Sequence, residues 1–305
     1  MKDGILKPYH PSTQLFILLA LAFCCLLVLQ LIGQSLLEPL YGINISSNPD
    51  AMDDHTDQNV IGAKKLLLLL SSLGMFVLPA FIFSKLISFK GDDYLMLRMK
   101  PNWKMLLSLL ILIPALFPIS NALQEFNSQL RLSENIQEMQ DANLEVFAAI
   151  TSGTSWGSFA FNILLLAVIP AIGEELIFRG IIMRLLARVA NNIHAGIWVS
   201  GFLFSLMHGQ PHNFLPMMMM GVLLGYLLVW SGTIWVPIVV HLLFNSTTLI
   251  VTFFVNRGDI IPSTHSFGAD DVPLLIAGLL VTGSLIYYYI RESRWKQLEY
   301  HFMKH

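Results

Sequence analysis

The chain alternates long apolar runs with short polar breaks. A helix that crosses a bilayer needs about 20 largely apolar residues, and eight stretches are candidates: 15–37, 66–88, 104–123, 157–187, 195–208, 214–230, 233–255 and 272–290. The third begins after "MKPNWK" and the seventh after the "WSGT" turn, while 195–208 is short for an independent crossing. From Gln124 to Ile150 apolar and polar residues alternate at helix-like spacing, which predicts an amphipathic helix lying along the outer interface. The first run follows Lys2 and Lys7 and is closed by no small-residue cleavage pattern, so it reads as a retained signal anchor.

Charge orients these elements, because Lys and Arg near helix ends favour the cytoplasmic side. With the N-terminus inside, the cytoplasmic pieces hold Lys2 and Lys7; Lys85, Lys90, Arg98, Lys100 and Lys104; Arg179, Arg184 and Arg188; and Arg291, Arg294, Lys296 and Lys304. Of the 18 basic residues, that leaves only Lys64, Lys65, Arg131 and Arg257 outside. The two longest outside loops are acidic, with Glu38, Asp50, Asp53, Asp54 and Asp57 in one and Glu125, Glu134, Glu138, Asp141 and Glu145 in the other. The expected fold is an all-α integral membrane protein of about eight transmembrane helices, both termini cytoplasmic, with a polar cavity within the bundle. Trp103, Trp156, Trp230, Trp235 and the Tyr287–Tyr289 run fall near proposed helix ends, where amphipathic rings sit at headgroup level.

Composition agrees: 55% of residues are hydrophobic and 12% charged, with a mean hydropathy of +0.63, far more apolar than a soluble domain. A net charge of −2 gives no basic surface for nucleic acid. Cys24 and Cys25 are adjacent within the first run and support neither a disulfide framework nor a cysteine metal site. No internal repeat and no soluble second domain is visible, so residues 1–305 read as one multi-pass membrane domain.

Against this background a few polar residues stand inside the spans. They are Glu174, Glu175 and Arg179 in the fourth, His208 at the end of the fifth, and His241 with Asn245 in the seventh. Ionisable groups in a bilayer are costly and face a protein interior or a water-filled cavity, which makes them functional candidates. At about 1.5 Å per residue, Glu174, His208, His241 and Asn245 share a layer roughly 14 to 21 Å from the cytoplasmic side, so they can converge. Residues four apart share a helix face. Glu175 and Arg179 can therefore neutralise one another, leaving Glu174 to point elsewhere; His241 and Asn245 share a side, and Phe204 can wall the pocket of His208. Pro170, four residues before Glu174, is expected to kink the helix or free a backbone carbonyl near the site.

A shielded carboxylate can act as general base towards water, with a histidine holding that water or shuttling its proton. A second histidine and an asparagine can donate to a developing oxyanion. Glu174, His208 and His241 equally form a set that suits a divalent metal such as zinc, and the residues alone leave both chemistries open. His212 in "HGQPH" also lies four residues from His208, but Pro211 breaks a helix between them, so it reads as a loop residue. The run Met217–Met220 faces all sides of a helix and reads as core and lipid-facing filler.

Three motifs, "EELIFRG", "FSLMH" and "HLLFN", have the order and spacing Glu-Glu-x-x-x-Arg, Phe-x-x-x-His and His-x-x-x-Asn. Together they resemble the CPBP family, the type II CAAX prenyl endopeptidases and their bacterial relatives, also called Abi proteins, over a core of about 155–255. The resemblance implies an intramembrane protease of a cell membrane, the bacterial inner membrane by expectation. It implies that Glu174 and His208 activate water, that His241 and Asn245 stabilise the oxyanion, and that Glu175, Arg179 and Phe204 support the site. The family is often described as metalloproteases, and a metal-free glutamate mechanism is also proposed for it. The implied partner is a membrane-associated peptide or protein, whether prenylated at a CAAX terminus or a bacteriocin- or signal-like peptide. The competing readings are a proton- or cation-coupled transporter, which would call for two related halves, and a catalytically silent immunity or scaffold protein of the same fold.

Overall fold

The structure is a computed structural model that describes residues 4–260 and 271–293. Lys2, Arg294, Lys296 and Lys304, part of the orienting charge pattern, lie outside the described residues. The fold is all-helical, and its principal helices are α1 (Pro11–Tyr41), α2 (Gln58–Ile87), α3 (Trp103–Ser128), α4 (Glu134–Thr151), α5 (Trp156–Ala190), α6 (Ile193–Met207), α7 (Pro211–Ser231), α8 (Trp235–Asn256) and α9 (Val272–Glu292). Among the described residues, seven helices are long and apolar enough to cross a membrane; α6, with 15 residues, is apolar but shorter. The chain is thus a multi-pass membrane protein. The short fifth run remains a helix of the bundle; of the segment Gln124–Ile150 expected to be one amphipathic helix, the start belongs to the end of α3 and residues 134–150 to α4.

Helix ends follow local chemistry. Asn102 caps α3, Ser155 caps α5 and Asn192 caps α6, each accepting from a backbone N–H of the first turn. Gly42 and Gly232 end α1 and α7 in the left-handed region, where a side chain would be strained. Trp103, Trp156 and Trp235 are the first residues of their helices. Trp230 instead turns inward and is buried between α7 and its neighbours.

Two apolar clusters organise the bundle. One joins α1, α2, α5, α6 and α7 through residues such as Leu18, Phe83, Leu176, Ile197 and Leu228. The other joins α3, α7, α8 and α9 through Leu112, Leu224, Val240 and Tyr289. Helix α7 contributes to both, which is why it is apolar on every side. Without a hydrophobic drive between helices in lipid, close approach depends on small residues. A Cβ on Gly201 would stand 2.9 Å from Val222 N, and one on Gly221 would stand 2.9 Å from Gly201 Cα, so α6 and α7 touch backbone to backbone. On α5, a Cβ on Gly173 would lie 2.9 Å from Phe76 Cβ, which brings α2 hard against the helix that bears the glutamates.

Candidate active site

Helix α5 is not a regular α-helix around its charges. Two π-helical segments, Leu164–Val168 and Phe178–Ile182, flank the α-helical stretch Ile169–Ile177 that carries Glu174 and Glu175. A π turn holds an extra residue and re-aims the side chains beyond it, and such bulges are frequent at functional sites. Pro170 lies just after the first segment. It has no N–H to give the carbonyl four residues earlier, that of Leu166, and the Asn245 carboxamide Nδ2 donates to that oxygen from α8 at 3.4 Å.

Glu175 and Arg179 pair as their spacing suggests. The guanidinium Nη1 donates to Glu175 Oε1 at 2.8 Å, with both side chains fully buried. Arg179 also donates through Nη2 to the Gly221 carbonyl at 3.0 Å, and its guanidinium lies over the Phe204 ring, 4.5 Å from the centroid. Glu175 has a second role that spacing within one helix does not show: the same Oε1 accepts from His241 Nδ1 at 2.9 Å. Oε2 of Glu175 is buried without a hydrogen-bond partner.

Glu174 points to a different set. Its Oε2 is buried and has no hydrogen-bond partner. It lies 3.8 Å from His208 Nε2 and 3.9 Å from His241 Nε2. His208 is the capping residue at the end of α6, and its Nδ1 is 2.8 Å from the Phe204 carbonyl oxygen. Phe204 touches both histidines, with ring centroids 4.6 Å from His208 and 5.9 Å from His241.

The hydrogen bonds assign the tautomers. A carbonyl oxygen and a carboxylate oxygen only accept, so Nδ1 of His208 and Nδ1 of His241 both carry protons. In the neutral rings each Nε2 then presents a lone pair towards Glu174. Three acceptors face one another with no donor among them, and the complementary partner is a group that brings O–H bonds or positive charge. A water molecule is such a group.

The same atoms were the expected metal set. Zinc bonds of about 2 Å in a tetrahedral shell place neighbouring donors about 3.3 Å apart, and the two separations from Glu174 Oε2, 3.8 and 3.9 Å, are wider. Among the described residues, no group of three or more His, Cys, Asp or Glu side chains is arranged to hold a metal ion. As placed, these residues do not fit a metal centre.

The structure thus brings Glu174, His208 and His241 together, with Glu175 and Phe204 in contact with the histidines and Arg179 paired to Glu175, while the hydrogen bond of Asn245 runs to the Leu166 carbonyl of α5 rather than to any of these residues. Two contributors escape sequence reasoning. The Glu175–His241 bond joins positions 66 residues apart. Gln140 of α4 meets His212, 72 residues away, in the turn after His208. No local spacing signals either contact.

Residues 156–247 match the family model described as "Type II CAAX prenyl endopeptidase Rce1-like". Over 121 residues the chain is 31% identical to the "Putative membrane peptidase YdiL" of Bacillus subtilis (strain 168), a match covering 40% of this chain and 44% of that protein, less than half of either. No solved structure matches the chain. The resemblance carried by the three motifs is therefore borne out: the segment 156–247, which holds all of the acidic, histidine and asparagine positions of the candidate site, is similar to the Rce1-like type II CAAX prenyl endopeptidases.

Proposed function

We propose that this protein is an intramembrane endopeptidase in which Glu174 activates water. The observation that carries the reading is the buried, unpartnered Glu174 Oε2, facing Nε2 of two histidines whose Nδ1 atoms are already committed. A water held by Glu174 and His208 gives one proton to Glu174 as its oxygen attacks the scissile carbonyl carbon, and the carbonyl π pair moves onto oxygen. For the oxyanion role His241, its Nδ1–H held on Glu175, takes up a proton from solvent at Nε2 as substrate binds, so that the lone pair of the resting site becomes an N–H towards the new charge; the ring gives this proton back on product release. Asn245 spends one amide proton on Leu166 and has a second to offer there. When the tetrahedral intermediate collapses, the leaving amine takes the proton held by Glu174. Glu175 and Arg179 position His241, and Phe204 packs against both imidazoles.

On this reading 155–255 is the catalytic core of a single membrane domain. The substrate is a membrane-associated peptide or protein, prenylated at a CAAX terminus or bacteriocin- or signal-like, reached within a bacterial inner membrane. The relative's name and the family description both speak of peptidases and support the reaction class.

The test compares wild type and Glu174→Gln, purified in detergent and incubated with a library of membrane peptides. The variant keeps the shape of the side chain and is expected to lose at least about 10²-fold in turnover with an unchanged thermal midpoint; equal product from both would sink the assignment. Turnover is expected to survive exhaustive chelation. Loss on chelation with recovery on adding zinc would instead make Glu174, His208 and His241 metal ligands.

A further inference from the structure

His208 ends its helix, and the turn beyond it is held by residues that lie outside 156–247. Gly209 adopts the left-handed region at φ +59°, and Pro211–Asn213 forms a single 3-10 turn before α7 continues. Pro211 brings no N–H, and the backbone bonds of the turn, such as Asn213 N–H to the Gln210 carbonyl at 2.9 Å, are local and do not tie it to α3 or α4. Its ties to α3 and α4 are made by side chains. Asn127, buried near the end of α3, donates to the Pro211 carbonyl. Gln140 of α4 accepts from the His212 backbone N–H at 3.1 Å through Oε1, while its Nε2 lies 2.7 Å from His212 Nδ1.

The backbone N–H can only donate, which settles the orientation of the Gln140 amide: its oxygen faces the main chain and its NH₂ faces the ring. His212 Nδ1 is thus an acceptor, and the two residues form a two-point clasp. On α4 the clasp is conspicuous by its surroundings. The buried residues of that helix are Gln140 and the run Ala149–Thr151 at its C-terminal end. Ile136, Met139, Leu144 and Phe147 are all exposed. The first half of α4 is therefore fastened to the bundle by a polar contact rather than by an apolar face, and the contact falls four residues after His208.

We propose that Gln140 and His212 are positioning residues for His208: the clasp fixes the turn that ends α6 and so aims Nε2 of His208 at Glu174. The inference rests on the reading of His208 as a water-activating residue. The conservative variant Gln140→Glu preserves both contacts, one oxygen accepting from the His212 backbone and the other from Nδ1–H of the alternative tautomer. Gln140→Ala removes both.

Two readouts on the full-length protein in detergent test it. In Gln140→Ala, turnover is expected to fall about tenfold in kcat with KM within about twofold, and carbethoxylation of His208 by diethyl pyrocarbonate, followed by mass spectrometry, is expected to accelerate several-fold. Gln140→Glu restores both. Wild-type kcat and His208 reactivity in Gln140→Ala would overturn the proposal, as would equal losses in the two variants accompanied by a lowered thermal midpoint, which would mean the contact serves stability alone. If the wild type cleaves no peptide, the proposed function fails on its own, and the His208 reactivity of the two variants still decides the clasp.

Discussion

Helices α1 and α5 invert the logic of a soluble protein. The apolar window of α1 has the highest hydropathy among the candidate spans, 3.0, yet only 6% of it is buried within the protein. That of α5 has a hydropathy of 1.9 and is 56% buried, and α7, at 1.8, is 61% buried. Where lipid is the solvent, the most apolar helix is the one left on the outside, and polarity marks the interior. The rule has an exception in α9, which has a hydropathy of 1.7 and is 17% buried, so low hydropathy alone does not place a helix at the centre. What distinguishes α5 is that its polar residues are ionisable and that Arg179 and Glu175 find partners on α6, α7 and α8.

The sharpest way to break this contrast is to unpair a charge at the centre. Arg179→Gln leaves Glu175 buried beside His241 without its cation, and the expected loss is about 3 kcal/mol or more, read as a lower midpoint in detergent unfolding; a fully stable variant would show that the ion pair does not hold the core. A steric change between buried helices comes next. Gly201→Val places a side chain against the backbone of α7, where its Cβ would already be 2.9 Å from Val222 N; the expected cost is about 1–3 kcal/mol, visible in the same assay, and a neutral result would mean that α6 and α7 separate easily. The smallest effect is expected on the lipid face of α1. Leu31 is 58% exposed, and Leu31→Ala should change stability by less than about 0.5 kcal/mol, because its side chain lies against lipid in any inserted state. A large loss there would show that α1 is covered by something other than lipid.

Particular residues show how far the sequence could be read. The "EELIFRG" spacing placed Glu175 and Arg179 on one face, and their 2.8 Å contact agrees with it. The position of Pro170 announced a freed carbonyl, but only the packing of α8 showed that Asn245 reaches Leu166. The π-helical segments of α5 were not legible, since a one-residue bulge leaves an apolar run looking apolar. Nor was the central place of α7: a helix between two apolar clusters is hydrophobic all round and carries no periodic signal of which neighbour it meets.

By itself the amino-acid sequence determined the helices, their approximate ends and the few positions where ionisable groups enter the bilayer, because the cost of a polar group in lipid is incurred locally, residue by residue. The tertiary structure decided what those groups do for one another. That Glu174 Oε2 is left without a hydrogen-bond partner, that Glu175 serves His241 as well as Arg179, and that Gln140 bonds to the turn after His208 all depend on how separate helices pack. Hydrogen bonds form over about 3 Å whatever the distance along the chain, so their pairing appears only once the helices have packed.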